Sequence, residues 1–230
     1  MSHHSRSPQL TTRRLAAIVG LFILAIVLIC LIYIGVERGA GLAHLDVPIQ
    51  EWMTANRTPL LTTNMHVVTT VLGPKVLAGI AVLIAIIWIW RKKEYWRPIL
   101  FASSFIGAFA ISTYMKVTLE RGRPPALDMI PPLETGFSFP SNHTFGIAVF
   151  ILLLGYMCYS RQPSGRILTI WIGSFIAGTS LMALSRVYLG YHWFTDVMAS
   201  IALSLVILAI VMLADMYRAW DQENTSTKVL

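Results

Sequence analysis

Charge is what this chain has least of. Asp, Glu, Lys and Arg make up 13% of its 230 residues, about half the share of an average soluble domain. That excludes an ordinary soluble protein, and a 56% hydrophobic content points to an integral membrane protein. Carboxylates are the scarcer charges, with 11 Asp and Glu against 18 Lys and Arg. Divalent-metal phosphatases usually hold their ions with several carboxylates, and few carboxylates and no cysteine lie in the polar stretches around residues 116–124, 139–144 and 185–196. Cysteine is limited to Cys30 and Cys158, both inside apolar runs. That excludes a disulfide framework and a thiolate metal site, and both are expected to be small buried hydrophobes. A continuous basic face is missing too. The net charge of +7 is dispersed between apolar segments, which argues against nucleic acid as a partner.

Long apolar runs are what the chain does have. Residues 15–36 carry no charge. At ~1.5 Å per residue they cross ~30 Å of hydrocarbon, and the run is too long for a cleaved signal peptide. Further spans are expected at about 67–90, 98–115, 144–159, 167–184 and 193–213. Between the first two, residues 46–56 set Val47, Ile49, Trp52 and Met53 among polar residues. This is the pattern of a short amphipathic helix at the interface, with Asp46 as N-cap and Pro48 in its first turn. Small residues (Ala102, Ser103, Ser104, Gly107, Ala108) predict that the third span lies inside the bundle. The pairs Gly173/Ala177 and Ser174/Gly178 predict close packing of the fifth. Trp88, Trp90, Tyr95 and Trp96 read as an interfacial aromatic belt.

The expected fold class is all-α: a six-helix transmembrane bundle with a short interfacial helix in its first outer loop. One domain, 15–214, lies between polar tails at 1–14 and 215–230. His3-His4 reads as part of a disordered tail, with no metal site. Six spans put both termini on one side. Eleven Lys and Arg fall on that side and seven on the other, which predicts cytoplasmic termini and a site facing outward.

Three polar stretches then share the outer face. They begin at Lys116, at Phe139 and at Ser185. The last sets an arginine, a histidine and an aspartate within twelve residues, Ser185 to Asp196, between two apolar segments. Charges at a helix centre in a bilayer cost roughly 2.5–3.5 kcal/mol each, so such a cluster is a functional site by default. His192 and Asp196 are four apart, on one helix face. Together the stretches supply several cations, two histidines, a serine and an aspartate, an inventory suited to a phosphate group.

The spacings are specific. Lys116 is followed after six residues by Arg123-Pro124. Pro140-Ser141-Asn142-His143 comes next. Ser185-Arg186 is followed after five residues by His192, and after three more by Asp196. This resembles the three-part signature of the type 2 phosphatidic acid phosphatase family, related to bacterial acid phosphatases and vanadium haloperoxidases. One place departs: Asn142 stands where the family usually has glycine. Asparagine tolerates the left-handed backbone better than most residues, so its amide is expected still to face phosphate, with its side chain narrowing the pocket or touching substrate.

The resemblance implies a membrane lipid phosphatase that works without metal or other cofactor. It implies that His192 attacks phosphorus, Asp196 orients the imidazole, and His143 protonates the leaving oxygen and then activates water. Lys116, Arg123, Ser141, Asn142 and Arg186 would bind the phosphate. By family analogy the favoured substrate is a polyprenyl pyrophosphate in a bacterial plasma membrane, ahead of phosphatidylglycerophosphate, phosphatidic acid or a lipid A phosphate. Transfer to a second lipid and non-catalytic lipid carriage are the alternatives. Arg121 reads as a loop surface residue, Asp128 and Glu134 as solvated loop acids, and His44 and His66 as interfacial.

Overall fold

The computed structural model describes residues 8–228, with side chains from Thr12 to Thr225. The His3-His4 pair lies outside the described residues. Among these residues there are eight α-helices and no strand. They are α1 (Pro8–Arg38), α2 (Asp46–Ala55), α3 (Pro59–Val71), α4 (Pro74–Lys92), α5 (Trp96–Leu119), α6 (Asn142–Arg161), α7 (Gly165–Tyr188) and α8 (Phe194–Lys228). All but α2 and α3 are long and apolar enough to cross a membrane. The expected all-α, six-span architecture is present. Helix α1 already begins at Pro8 and α8 runs on to Lys228, so the described parts of both expected tails are helical.

Local signals set the starts of several helices. Thr58, Ser141 and Ser164 each accept a hydrogen bond from the backbone N–H three residues on, capping α3, α6 and α7. Pro59 and Pro74 occupy first turns, where proline's missing N–H costs nothing. Pro74 also explains a difference from expectation. The second span does not begin at Val67, because α3 ends at Val71 and α4 starts afresh at Pro74. A proline ring disfavours helical conformation in the residue before it, and that residue, Gly73, is extended. Asp46 is not an N-cap either. A 3-10 turn at Gly41–Leu45 runs straight into α2, and the Asp46 carboxylate reaches Thr195 instead.

The core lies between α6 and α8. In their most apolar stretches 44% and 61% of residues are buried, against 22% for α5. Phe145, Val149, Leu153 and Met157 of α6 pack with Leu203, Ile207 and Val211 of α8, and with Phe101 of α5. Of the small residues of α5 only Ala108 is buried in that core. Ser103 is exposed and Gly107 leaves open space beside it, since lipid tails solvate such a face as well as side chains do. On α7 only Gly178 of the expected quartet packs closely, against Ile151. The tightest approach is at Gly155 of α6, where a Cβ would collide with the Trp171 ring. Cys30 and Cys158 are exposed rather than buried, on helix faces left open to lipid.

One end of the bundle is closed by the α5–α6 connection, residues 120–141, lying over the α7–α8 turn. Ile130 N–H donates to Leu189 O (2.9 Å) and Tyr191 Oη to Ile130 O (2.9 Å). Arg57, just before α3, donates to Tyr188 O and Asp128 O (3.0 and 2.7 Å). Gly190 makes this closeness possible. Its φ is +78°, and a Cβ there would sit 2.3 Å from Asp128 O.

Candidate active site

The α7–α8 turn carries the centre of the site. Gly190 turns the chain sharply after α7, and α8 starts at Phe194. That places His192 just before the helix and Asp196 in its first turn, both almost wholly buried. His192 Nδ1 lies 3.3 Å from Asp196 Oδ2, which also accepts the Trp193 backbone N–H at 3.0 Å. A carboxylate only accepts, so Nδ1 carries the proton and Nε2 keeps its lone pair. Nε2 faces Arg123 Nη1 at 3.4 Å. Burial, reinforced by Arg186, Arg123 and Lys116, holds His192 well below the usual histidine range. The surroundings favour a neutral imidazole, with Asp196 selecting the Nδ1–H tautomer.

The cations come from three elements. Lys116, in the last turn of α5, donates to the carbonyls of Phe137 and Ser138 (2.9 and 3.1 Å). Arg123, on the following loop, donates to Gly136 O (3.0 Å) and Tyr191 O (2.6 Å). Arg186, in the last turn of α7, is 1% exposed and lies over the Tyr191 ring, 4.5 Å from its centroid. It donates to Thr69 Oγ1 at 2.7 Å and pairs with Glu134. Its Nε is buried with no hydrogen-bond partner among the described residues. A buried donor of that kind is rare in a finished core and common where a ligand binds.

The start of α6 supplies His143. The Ser141 cap is braced by Ser200 of α8, which accepts from Ser141 N (2.9 Å) and donates to Ser141 O (3.1 Å). His143 sits beside the α3–α4 break, its Nε2 3.7 Å from where a Gly73 Cβ would be. Arg186, Glu134, Arg123 and Lys116 all act on it electrostatically, as they do on His192. Asn142 corrects an expectation. It is the first residue of α6 and not left-handed, so no glycine-like backbone is required. Its Oδ1 accepts from Ser112 Oγ of α5, so the side chain ties two helices together.

A neutral imidazole whose lone pair faces Arg123, with Arg186 and Lys116 also acting on it by charge, can attack an electrophile that carries negative oxygens. Sequence comparisons identify the family. The model of the PAP2 superfamily matches residues 97–220, which is more than half the chain and includes all three motifs. The chain belongs to the PAP2 superfamily. Phosphatidylglycerophosphatase B of Bacillus subtilis (strain 168) is 28% identical over 197 residues, 84% of this chain and 92% of its own. YbjG of Escherichia coli (strain K12), provisionally named an undecaprenyl-diphosphatase, is 24% identical over 134 residues, 55% of this chain and 62% of its own. The crystal structure of a transmembrane PAP2 type phosphatidylglycerolphosphate phosphatase from Bacillus subtilis shares the fold. Its TM-score is 0.68 at 23% identity, covering 90% of this chain and 96% of that one. This PAP2 protein is thus a multi-pass membrane lipid phosphatase, a phosphate-ester hydrolase.

Two residues read from the sequence as loop surface are in contact with the candidate site residues of this PAP2 phosphatase. Glu134 is no solvated acid: it pairs with Arg186 and with Arg123 (3.2 Å). Burial alone would raise its pKa, but Arg186, by charge and hydrogen bond, brings it down to about 2. Arg121 pairs with Asp196 and with Asp46, the latter at 2.5 Å. Its place between two motif cations was the sequence signal available. Asp128 meets expectation in part, contributing its backbone carbonyl to Arg57.

Proposed function

We propose that this PAP2 phosphatase hydrolyses a lipid phosphate or pyrophosphate through a phosphohistidine on His192. The site faces outward from a bacterial plasma membrane, and both termini are cytoplasmic. The His192 arrangement carries the reading: Nδ1 held by Asp196, Nε2 facing Arg123, and a buried Arg186 with a donor to spare. In the first step the Nε2 lone pair forms an N–P bond and the P–O bond to the lipid breaks. A bound phosphate's negative charge favours the imidazolium form of His143, which gives its proton to the leaving oxygen. In the second step His143 takes a proton from water, the water oxygen attacks phosphorus, and the N–P bond breaks to release phosphate. Lys116, Arg123 and Arg186 hold the non-bridging oxygens. Ser141 and Asn142 act through the fold, as cap and helix tie, with their backbone amides at the N-terminus of α6.

A lipid substrate suits the site's place at one end of a membrane bundle, where the tail stays in the bilayer. A polyprenyl pyrophosphate is the first reading, supported by the likeness to the undecaprenyl-diphosphatase relative. Phosphatidylglycerophosphate is the second, supported by the longer alignment with phosphatidylglycerophosphatase B. A phosphate-release panel over both lipids in detergent separates them. In the same assay His192→Ala should release no phosphate while still folding and binding lipid, and wild type should keep its rate in excess chelator. Release by His192→Ala at the wild-type rate would refute the nucleophile, and loss in chelator restored by magnesium would refute the metal-free route.

A further inference from the structure

Three linked charges run from the interfacial helix to the nucleophile, two buried carboxylates with the partly exposed Arg121 between them. Asp46, at the start of α2, is 4% exposed. Its Oδ1 accepts the Thr195 backbone N–H at 2.8 Å, and its Oδ2 accepts from Thr195 Oγ1 at 2.7 Å and from Arg121 Nη2 at 2.5 Å. The other arm of Arg121, Nη1, donates to Asp196 Oδ1 and to Thr195 Oγ1 (2.8 Å). Asp196 Oδ2 is taken by His192 Nδ1 and Trp193 N. Both Asp196 oxygens are therefore assigned, one to the nucleophile and one to Arg121. The carboxylate cannot rotate without breaking a contact.

We propose that Arg121, anchored by Asp46, is a positioning residue that holds Asp196 in register with His192 and couples α2 to the nucleophile. This rests on the reading of His192 and Asp196 given above. Both Nη atoms of Arg121 are engaged by carboxylates, so it does not serve as a fourth phosphate ligand. A guanidinium is required because its planar fork spans two carboxylates at once, which a single ammonium does not. Without Arg121, two buried carboxylates would be left near one another with no cation between them, which is costly. Thr195, wholly buried, completes the junction by bonding to both partners.

The test is a kinetic cycle on purified protein in detergent. Arg121→Gln should lower kcat by about 10–100-fold, the range seen when a group that orients a reacting residue is lost. Its KM and its inhibition constant for inorganic phosphate should stay within about threefold of wild type. Arg121→Lys should recover part of kcat. Asp46→Asn alone should lower kcat less, and adding it to Arg121→Gln should cause no further loss, because it removes one of the two stranded carboxylates. Additive losses would overturn the proposal, as would a raised phosphate inhibition constant with kcat intact. If Arg121→Gln fails to fold, Arg121→Lys and Asp46→Asn decide the matter: kcat at the wild-type value in both overturns it. Trapping of phosphohistidine on wild type but not on His192→Ala, alongside a fully active Arg121→Gln, would sink this inference and leave the proposed function standing.

Discussion

Replacing Glu134 by glutamine removes a carboxylate that sits between two of the cations a phosphate needs, Arg186 and Arg123. On the proposed function the carboxylate holds the place of the substrate, and phosphate would have to displace it. Its pKa measures how firmly it is held. Burial pushes against ionisation, yet Arg186 brings the group from 4.5 to about 2. At about 1.4 kcal/mol per unit this amounts to ~3 kcal/mol. A side chain 29% exposed is partly screened, which leaves ~2 kcal/mol, or about 30-fold in affinity. Glutamine still donates and accepts, so part of the contact survives. In a phosphate-release assay against lipid concentration, Glu134→Gln should lower KM about 10–30-fold, and inorganic phosphate should inhibit correspondingly better. The kcat should stay within about threefold. A raised KM, or a collapse of kcat, would refute the reasoning and mean that Glu134 works with the substrate rather than in its place. The sign for stability is opposite. A depressed folded-state pKa contributes stability that is fully present above 4.5 and is lost as pH falls toward 2. The variant should be the less stable protein at neutral pH, and the two should converge over that window.

Two further changes probe the scaffold. Asn142→Gly removes the acceptor of the buried Ser112 hydroxyl; it should cost ~1–2 kcal/mol in detergent unfolding and leave the order of lipid preference unchanged, so a reordered panel would show that Asn142 touches substrate. Gly190→Ala puts a Cβ 2.3 Å from Asp128 O at a positive φ; it should lower the unfolding midpoint and activity together, by ~2 kcal/mol or more, and wild-type stability would contradict the packing described for this turn.

The spans were legible because a bilayer writes them in one dimension. A run of apolar residues long enough to cross is visible without any partner. The break at Gly73-Pro74 was harder to read. Proline is as welcome in the first turn of a helix as it is disruptive inside one, so the same dipeptide fits one span or two. The motif residues were legible through spacing: Arg186, His192 and Asp196 lie on one continuous turn. Glu134 and Arg121 follow no period, and their partners lie 52 and 75 residues away. A loop charge is identified as part of a site only by what it meets. Asn142 was misread for a related reason. Likeness to glycine suggests an unusual backbone, but the first turn of a helix needs none.

On the proposed function the same three cations serve both binding and reactivity. Lys116, Arg123 and Arg186 bring positive charge close to His192, which suits a phosphate group, and they oppose any positive charge on the imidazole. The free imidazole is kept neutral by burial and by the groups proposed to bind the phosphate. Once an anionic phosphate enters, the field at Nε2 is partly cancelled. The imidazole can then accept the positive character that N–P bond formation brings, with Asp196 on its other nitrogen. Asp196 can do this only if its own charge survives burial, and the nearest cation available for that is Arg121, outside the phosphate pocket. Separate cations for the phosphate and for the carboxylate let the two charges be balanced independently.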